Sequence, residues 1–476
     1  MSWLRTIRHA LHYEPEVRLA YFQGYAFHKL NSGNGRKPRY VGISVRLAVY
    51  AWRLLKMLRI HEPRGRDHAV DVLAFAQTAN QANSLATTLK ELRRRNLVVR
   101  CVTAKGAAPP SGQFSTDKCQ QITLSLIDGI KLAFLMVFRL PRIWQQLSGE
   151  DRRVARWHID SFLQCHIYLI FFEKVIESTN PRLILMSNDH NAPQRCLLAL
   201  ARVKGIKTAY MQHASVSRLF PTLVFDYSLL DGQVANDTYM DCEPNKPVSA
   251  PVPAQRHIFL TGQKKPVRLL QGMAHSTVGL AINTLDDVKD VMKVVTAIAE
   301  AGHALRLRWH PAMGWARVEK IRQACSSFPS VELSDPLVES VGDFLAQLGV
   351  LVAANSSIHL EAAVAGVMPI YFEISPVSTW DYYGYVRNGV SAEAKGKEEL
   401  LDLIGDVLSG DRKLNSAAVQ AYSATFDTEW EGREGELAAG IIRDLLDGAE
   451  PSECWGYAGV MGSIESHRAP PTADHI

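Results

Sequence analysis

Two linked stretches decide how this chain is read: LRLRWHP (305–311) and VLVAANSSIHLEAAVAGVMPIYF (350–372). VLVAAN is a short apolar run that turns polar at its end, the pattern of a buried parallel strand. Asn355, Ser356 and Ser357 follow where a helix should begin, and Asn and Ser are favoured helix caps. IHLEAAVA continues as the helix, Gly366 ends it, and MPIYF is the next strand. LRLRW is another strand; Pro311 stops it and leaves His310 at its end. Such strand ends line the carboxyl edge of a parallel sheet, where open α/β folds bind ligands. A helix start also offers N–H groups to an anion. His310, Pro311, Asn355, Ser356 and Ser357 therefore form a candidate phosphate site. Routine capping by the serines and a surface histidine would explain the same residues without a ligand.

The alternation extends to both sides. STVGLAINT (276–284) is a strand ending at Asn283, which joins the ligand-side candidates. DDVKDVMKVVTAIAEAG (286–302) is a helix with acids first and glycine last. Helices are expected near Trp315–Cys325, Lys397–Leu408 and Glu429–Leu446, the last crossing back onto the first half. The first half repeats the rhythm: strand VDVLAFA (70–76), helix QANSLATTLKELRRRN (81–96), strand LVVRCVTA (97–104). Long helices are expected over Gln120–Leu147 and Val154–Glu177, with 107–116 as a loop. Three further strands then end in Asp189 and His190, in His213 and Ser215, and in Asp231, all on one sheet edge. The chain thus divides into a basic extension (1–66), a first Rossmann-like domain (67–245), a Pro-rich linker (246–272), a second Rossmann-like domain (273–449) and a tail (450–476).

The HP and SS pairs resemble the motifs of bacterial GT-B sialyltransferases. HP is also similar to that of capsular Kdo transferases and CDP-glycerol glycerophosphotransferases. QHAS followed by FDYSLLDG resembles the first-domain end of GT-B capsule and wall-polymer transferases, with Ala214 at the usual glycine. The resemblance implies a GT-B fold, two Rossmann-like domains facing a cleft. It implies a CMP-linked sugar donor held by His310, Pro311, Ser356 and Ser357, with Glu361 on the ribose. Asp189 and His213 are then the candidate catalytic residues, with His190, Ser215 and Asp231 beside them. Leu230-Asp231-Gly232 has one acid before the glycine where the sialyltransferases have two. Asp189 reads equally as a helix cap, and Glu361 as a solvated helix position.

No GxxxxGK[ST], GxSxG or GxGxxG element occurs, which disfavours an NTPase, an α/β-hydrolase and a dehydrogenase. The expectation is a metal-independent glycosyltransferase with no cofactor beyond its nucleotide sugar, acting on a surface polysaccharide or lipid-linked acceptor. A UDP-sugar transferase, a UDP-sugar 2-epimerase and a non-catalytic scaffold of the same fold remain open. Seven scattered cysteines without CxxC fit a reducing, cytoplasmic setting. No apolar run reaches the roughly 18 residues of a spanning helix. The net charge of +5 is uneven: residues 1–66 carry 13 Lys+Arg against 3 Asp+Glu, so the remainder is acidic. Trp3, Leu4, Ile7 and Leu11 share a helical face, and VRLAVYAWRLLKMLRI (45–60) mixes apolar and basic residues. Both suit an anionic membrane surface, and equally a helix packed on its own domain. Nucleic acid is not an expected partner.

Overall fold

The computed structural model describes residues 2–20, 42–59, 69–104, 119–149, 152, 155–156, 158–216, 218, 220–243, 253–263, 276–376 and 380–461. The chain opens with α1 (Ser2–Tyr13), α2 (Glu16–Leu19), α3 (Ile43–Met57) and the short strand β1 (Leu58–Arg59). There follow β2 (Val72–Ala76), α4 (Ala79–Arg94), β3 (Val99–Thr103), β4 (Cys119–Gln121), β5 (Leu124–Ser125), α5 (Leu126–Gln146) and α6 (Ile159–Thr179). Then come β6 (Leu183–Met186), α7 (Ala192–Lys204), β7 (Lys207–Met211), β8 (Tyr227–Leu230), α8 (Gln233–Asp241) and β9 (His257–Leu260). The second half runs β10 (Val278–Ile282), α9 (Val288–Glu300), β11 (Leu305–Trp309), α10 (Trp315–Cys325), β12 (Val331–Ser334) and α11 (Val341–Leu345). It continues with β13 (Val350–Ala353), α12 (Ile358–Val364), β14 (Met368–Phe372), β15 (Ala392–Ala394), α13 (Lys397–Ser409), α14 (Ser416–Tyr422), α15 (Glu434–Leu446) and β16 (Tyr457–Val460).

Two sheets result. The first has the order β16-β9-β8-β7-β6-β2-β3-β4, and the second β12-β11-β10-β13-β14-β15. Every pairing in them is parallel except β16 on β9. Apolar strands such as β2, buried at every residue, need cover on both faces, and the helices supply it. The direction of sheet growth reverses between β2 and β6 in the first sheet and between β10 and β13 in the second. Those reversals open the crevices in which such sheets bind ligands. α6 is predominantly apolar and buried along almost its whole length, with Phe172 edge-on to Phe75 of β2 at 5.0 Å.

Several sequence expectations change here. The helix expected from Gln120 starts at Leu126 instead. Cys119–Gln121 pair with β3, and Ser125 and Asp128 close a capping box that sets the helix start. Within the expected linker, HIFL forms β9, because buried Ile258 and Phe259 fit beside β8. The linker's 246–252 and 264–272, and the loop 107–116, lie outside the described residues. The expected tail supplies β16, which closes the first sheet's edge; its remainder, 462–476, is not described. The final long helix, α15, packs on α4 of the first domain: a Cβ on Gly435 would lie 2.4 Å from Thr87 Oγ1.

The basic extension is not a separate arm over its described part. α1 buries Ile7, Ala10 and Leu11 in the first domain's core, packing against α6 and α7. Glu14 pairs with Arg195 and Arg202 of α7, and Glu16 with Arg139 of α5 at 2.8 Å and with His166 at 3.1 Å. Buried charges need such partners. Residues 21–41 and 60–68 are not described.

Candidate functional site

The carboxyl edges of the two sheets meet. Ser215, just past β7, bonds through Oγ to the Tyr385 hydroxyl at 2.6 Å. Tyr385 is buried in the segment that follows β14, and burial pushes its hydroxyl pKa well up, so it stays protonated. In the same segment the Tyr382 N–H donates to Asn355 Oδ1 at 2.9 Å, just past β13. The loops after β7, β13 and β14 are thereby joined.

On the first sheet, the turn after β6 carries an aspartate–histidine pair. Asp189 Oδ1 accepts from His190 Nδ1 at 2.5 Å, and Oδ2 accepts from the Tyr239 hydroxyl at 2.9 Å. Asp189 is only 1% exposed. Burial alone would raise its pKa, but the imidazole and the Tyr239 hydroxyl outweigh that and hold it below the usual carboxylate range. Asp189 is therefore sealed, with both oxygens engaged, and does not itself reach the sheet edge as a base. His190 is the group left partly exposed. Asn188 Oδ1 accepts from the His190 and Asn191 N–H groups, which turns its amide nitrogen toward His190 Nε2 at 3.2 Å. That network assigns the proton to Nδ1 and the lone pair to Nε2. Phe220 packs on the ring at 4.6 Å between centroids.

The remaining first-sheet candidates divide. His213 is half-buried past β7, beside Ser215. Asp231 is buried, and its backbone is fixed: its N–H donates to Gln212 Oε1, and its carbonyl accepts from Gly262 and Ala424. Its neighbour Gly232 must be glycine because a Cβ would sit 2.5 Å from the Ala421 carbonyl oxygen. The crevice at the β2–β6 reversal is filled by its own amides. Gln81 Oε1 accepts from Gln77 N and Gln194 Nε2, and Ser187 donates to the Gln81 carbonyl.

The second sheet's reversal is less occupied. Asn283 ends β10 and donates to the Asn355 carbonyl at 3.4 Å, across the reversal. Ser356 Oγ accepts a long 3.4 Å contact from Ile358 N, and Ser357 makes no capping hydrogen bond. The capping role that would explain these serines away is thus weakly filled. His310 is exposed past β11; its Nδ1 accepts from Ala312 N at 3.0 Å, so Nε2 carries the proton as a donor. Pro311 is exposed in the same turn. Glu361 is 7% exposed rather than solvated, and its charge acts on Arg308 of β11. This face can offer hydroxyl and imidazole donors to an anion and a carboxylate to a polyol.

Sequence reasoning missed Tyr385, Tyr239 and Asp286. Asp286 reads in the sequence as one of two acids at a helix start, yet it is 1% exposed and accepts from Asn283 N at 2.7 Å. It also missed His359 in α12, whose ring bridges the Ala354 carbonyl and the Ser391 hydroxyl. Nothing in the local pattern marks a tyrosine that contacts a residue 170 positions away.

No known protein family matches the sequence, and no curated protein does. Solved structures match at the level of fold. A UDP-GlcNAc 2-epimerase from Neisseria meningitidis bound to UDP-GlcNAc aligns with 80% of this chain and 100% of its own, with a TM-score of 0.51 and 12% identity. A second UDP-N-acetylglucosamine 2-epimerase covers 80% of this chain and 95% of its own, with a TM-score of 0.50 and 13% identity. The chain has the GT-B fold, two Rossmann-like domains of α/β construction.

Proposed function

We propose that this chain is an enzyme that acts on a nucleotide-activated sugar between its two sheet edges. The nucleotide lies over the β10–β13 reversal, with phosphate oxygens accepting from His310 Nε2 and the Ser356 and Ser357 hydroxyls, and the ribose on Glu361. The sugar points toward the first sheet, where His190 Nε2 accepts a proton and Asp189 holds the imidazole in that tautomer. The observation that supports the reading is the Ser215–Tyr385 bond, which joins the loops after β7 and β14 at the carboxyl edges of the two sheets.

Uridine diphosphate is the preferred nucleotide, because the fold neighbours described above are UDP-sugar enzymes, one of them bound to UDP-GlcNAc. The cytidine expectation rests on the HP and SS pairs alone. Glycosyl transfer to a glycan or glycolipid hydroxyl is the favoured reaction, since one positioned base suffices to deprotonate an acceptor. The fold likeness favours a second reading, UDP-sugar 2-epimerisation. That reaction needs a second proton-transfer group on the opposite face of the sugar, for which His213 is the candidate.

The test is calorimetric titration with UDP, CDP, CMP and GDP, beside turnover of UDP-GlcNAc in deuterated water without an acceptor. Selective UDP binding that His310→Ala weakens tenfold or more supports the nucleotide site. Deuterium appearing in the recovered sugar would select epimerisation; UDP release only on addition of an acceptor would select transfer. In either case His190→Gln should lower turnover by about 10²–10⁴-fold and leave nucleotide affinity unchanged. Absence of binding by any nucleotide would overturn the reading and favour a scaffold.

A further inference from the structure

Two helices packed on α6, α3 of the extension and α5 of the first domain, turn apolar side chains outward. On α5 two charged side chains, Asp128 and Arg139, turn to partners in the protein. Asp128 is buried and meets Lys174 of α6 at 3.4 Å, and Arg139 meets buried Glu16 of α2. The outward stripe is apolar: Ile127, Ile130, Phe134, Val137 and Phe138, with Ile130 70% and Val137 68% exposed. Spacing of three and four residues keeps Ile127, Ile130, Phe134, Val137 and Phe138 on one side of the helix over about three turns. α3 repeats the arrangement. Arg46, half-buried, and Arg53, still exposed, reach Asp160 of α6 at 2.9 and 3.5 Å, while Leu47, Trp52 and Leu55 face out, Leu55 68% exposed.

Both helices lie over α6, and the parallel β1–β5 pair joins the end of α3 to the start of α5, with Leu58 opposite Leu124. Gly129 of α5 allows the close approach: a Cβ there would come within 3.3 Å of the Leu58 side chain. The two stripes therefore adjoin. Among the described residues nothing covers either one. Patches of this extent on soluble proteins mark interaction surfaces.

The charge around the patch selects the occupant. α3 contains no acid, and the single acid of α5, Asp128, is turned inward. Lys56, Arg59 and Arg142 are exposed at the margins, and the Lys56 ammonium lies 3.5 Å over the Trp52 ring. Apolar residues at the centre, a tryptophan with its cation and, among the described residues of α3, β1 and α5, only basic groups at the rim suit an anionic lipid surface. No described helix is long and apolar enough to cross a membrane, so the contact would be parallel to the surface.

We propose that the outer faces of α3 and α5 dock the protein flat on an anionic bilayer. α1, the other amphipathic helix of the basic extension, takes no part, because its apolar face is spent in the core. The proposal is independent of the nucleotide-sugar reading.

Flotation of the full chain with vesicles of phosphatidylcholine, with and without 30% phosphatidylglycerol (roughly the content that gives a strong surface potential), tests it. The wild type should float with the anionic vesicles, and less so at high salt. Ile130→Glu/Val137→Glu, both at exposed positions, should reduce binding at least tenfold with an unchanged melting temperature. Lys56→Glu/Arg142→Glu should remove the preference for anionic lipid. Failure of the wild type to bind would overturn the proposal, as would unchanged binding by the Ile130→Glu/Val137→Glu variant. So would sedimentation showing a dimer that this variant splits, without vesicle binding, since a second copy would then be the occupant.

Discussion

At the scale of single residues, burial decides which acids can do chemistry. Asp189 stands at a strand end before a helix, a position that suits either a base or a cap. Its two hydrogen bonds and 1% exposure make it a positioning group for His190. Asp286 presents the opposite case. Burial pushes its pKa up to about 6, only partly offset by the Asn283 N–H and by Arg317, and its Oδ1 is buried without a hydrogen-bond partner. The folded chain thus holds a proton that the unfolded chain, titrating near 3.8, releases earlier. Stability contributed by the neutral acid is complete below about 3.8 and is lost as pH rises through about 6. The change corresponds to at most about 3 kcal/mol. Denaturant unfolding from pH 4 to 7 should show that decline, and Asp286→Asn should flatten it; an identical slope in the variant would contradict the assignment.

At the scale of elements, similar sequence patterns meet opposite fates. α1 and α5 both carry one apolar face with basic residues nearby. In α1 that face is buried against α6 and α7; in α5 it is exposed, while Asp128 and Arg139 turn to partners on α6 and α2. Leu11→Ala should therefore cost about 2–5 kcal/mol, as truncation of a buried leucine does. Ile130→Ala should stay within about 0.5 kcal/mol. Chemical denaturation of the two variants checks the contrast. β11 carries a related lesson. Its pattern LRLRW looks like a strand with one wet face, yet Arg306 and Arg308 are both buried. Glu339 receives Arg306, Ser334 receives Arg308, and the Phe344 ring lies within 6.0 Å of each guanidinium.

At the scale of the molecule, the end of the chain holds the first domain together. α15 covers α4, with Leu437, Ile441 and Ile442 in the same core as β2, and β16 closes the edge beyond β9. Gly262, at φ +71°, marks the crossing: a Cβ there would lie 1.9 Å from Thr425 Oγ1. A fragment of residues 1–263 would lack this cover and expose an apolar helix face and an open strand edge. It should show no cooperative thermal transition and should self-associate by light scattering. A sharp, reversible melt of the fragment would mean that the first domain stands alone.

The sequence by itself determined the elements and their order. Apolar period, caps and glycine stops are local signals, and β10–α9–β11 and β13–α12–β14 follow them closely. It also placed most of the candidate residues at strand ends, because a polar break after an apolar run is itself local. Tertiary structure decided which of those residues are reachable, where β9 and β16 belong, and which amphipathic face is inside. Those outcomes depend on partners distant in the chain: Tyr385 for Ser215, Glu14 for Arg195, Asp160 for Arg46. A side chain's burial and charge state follow from what packs against it, and no run of neighbouring residues carries that information.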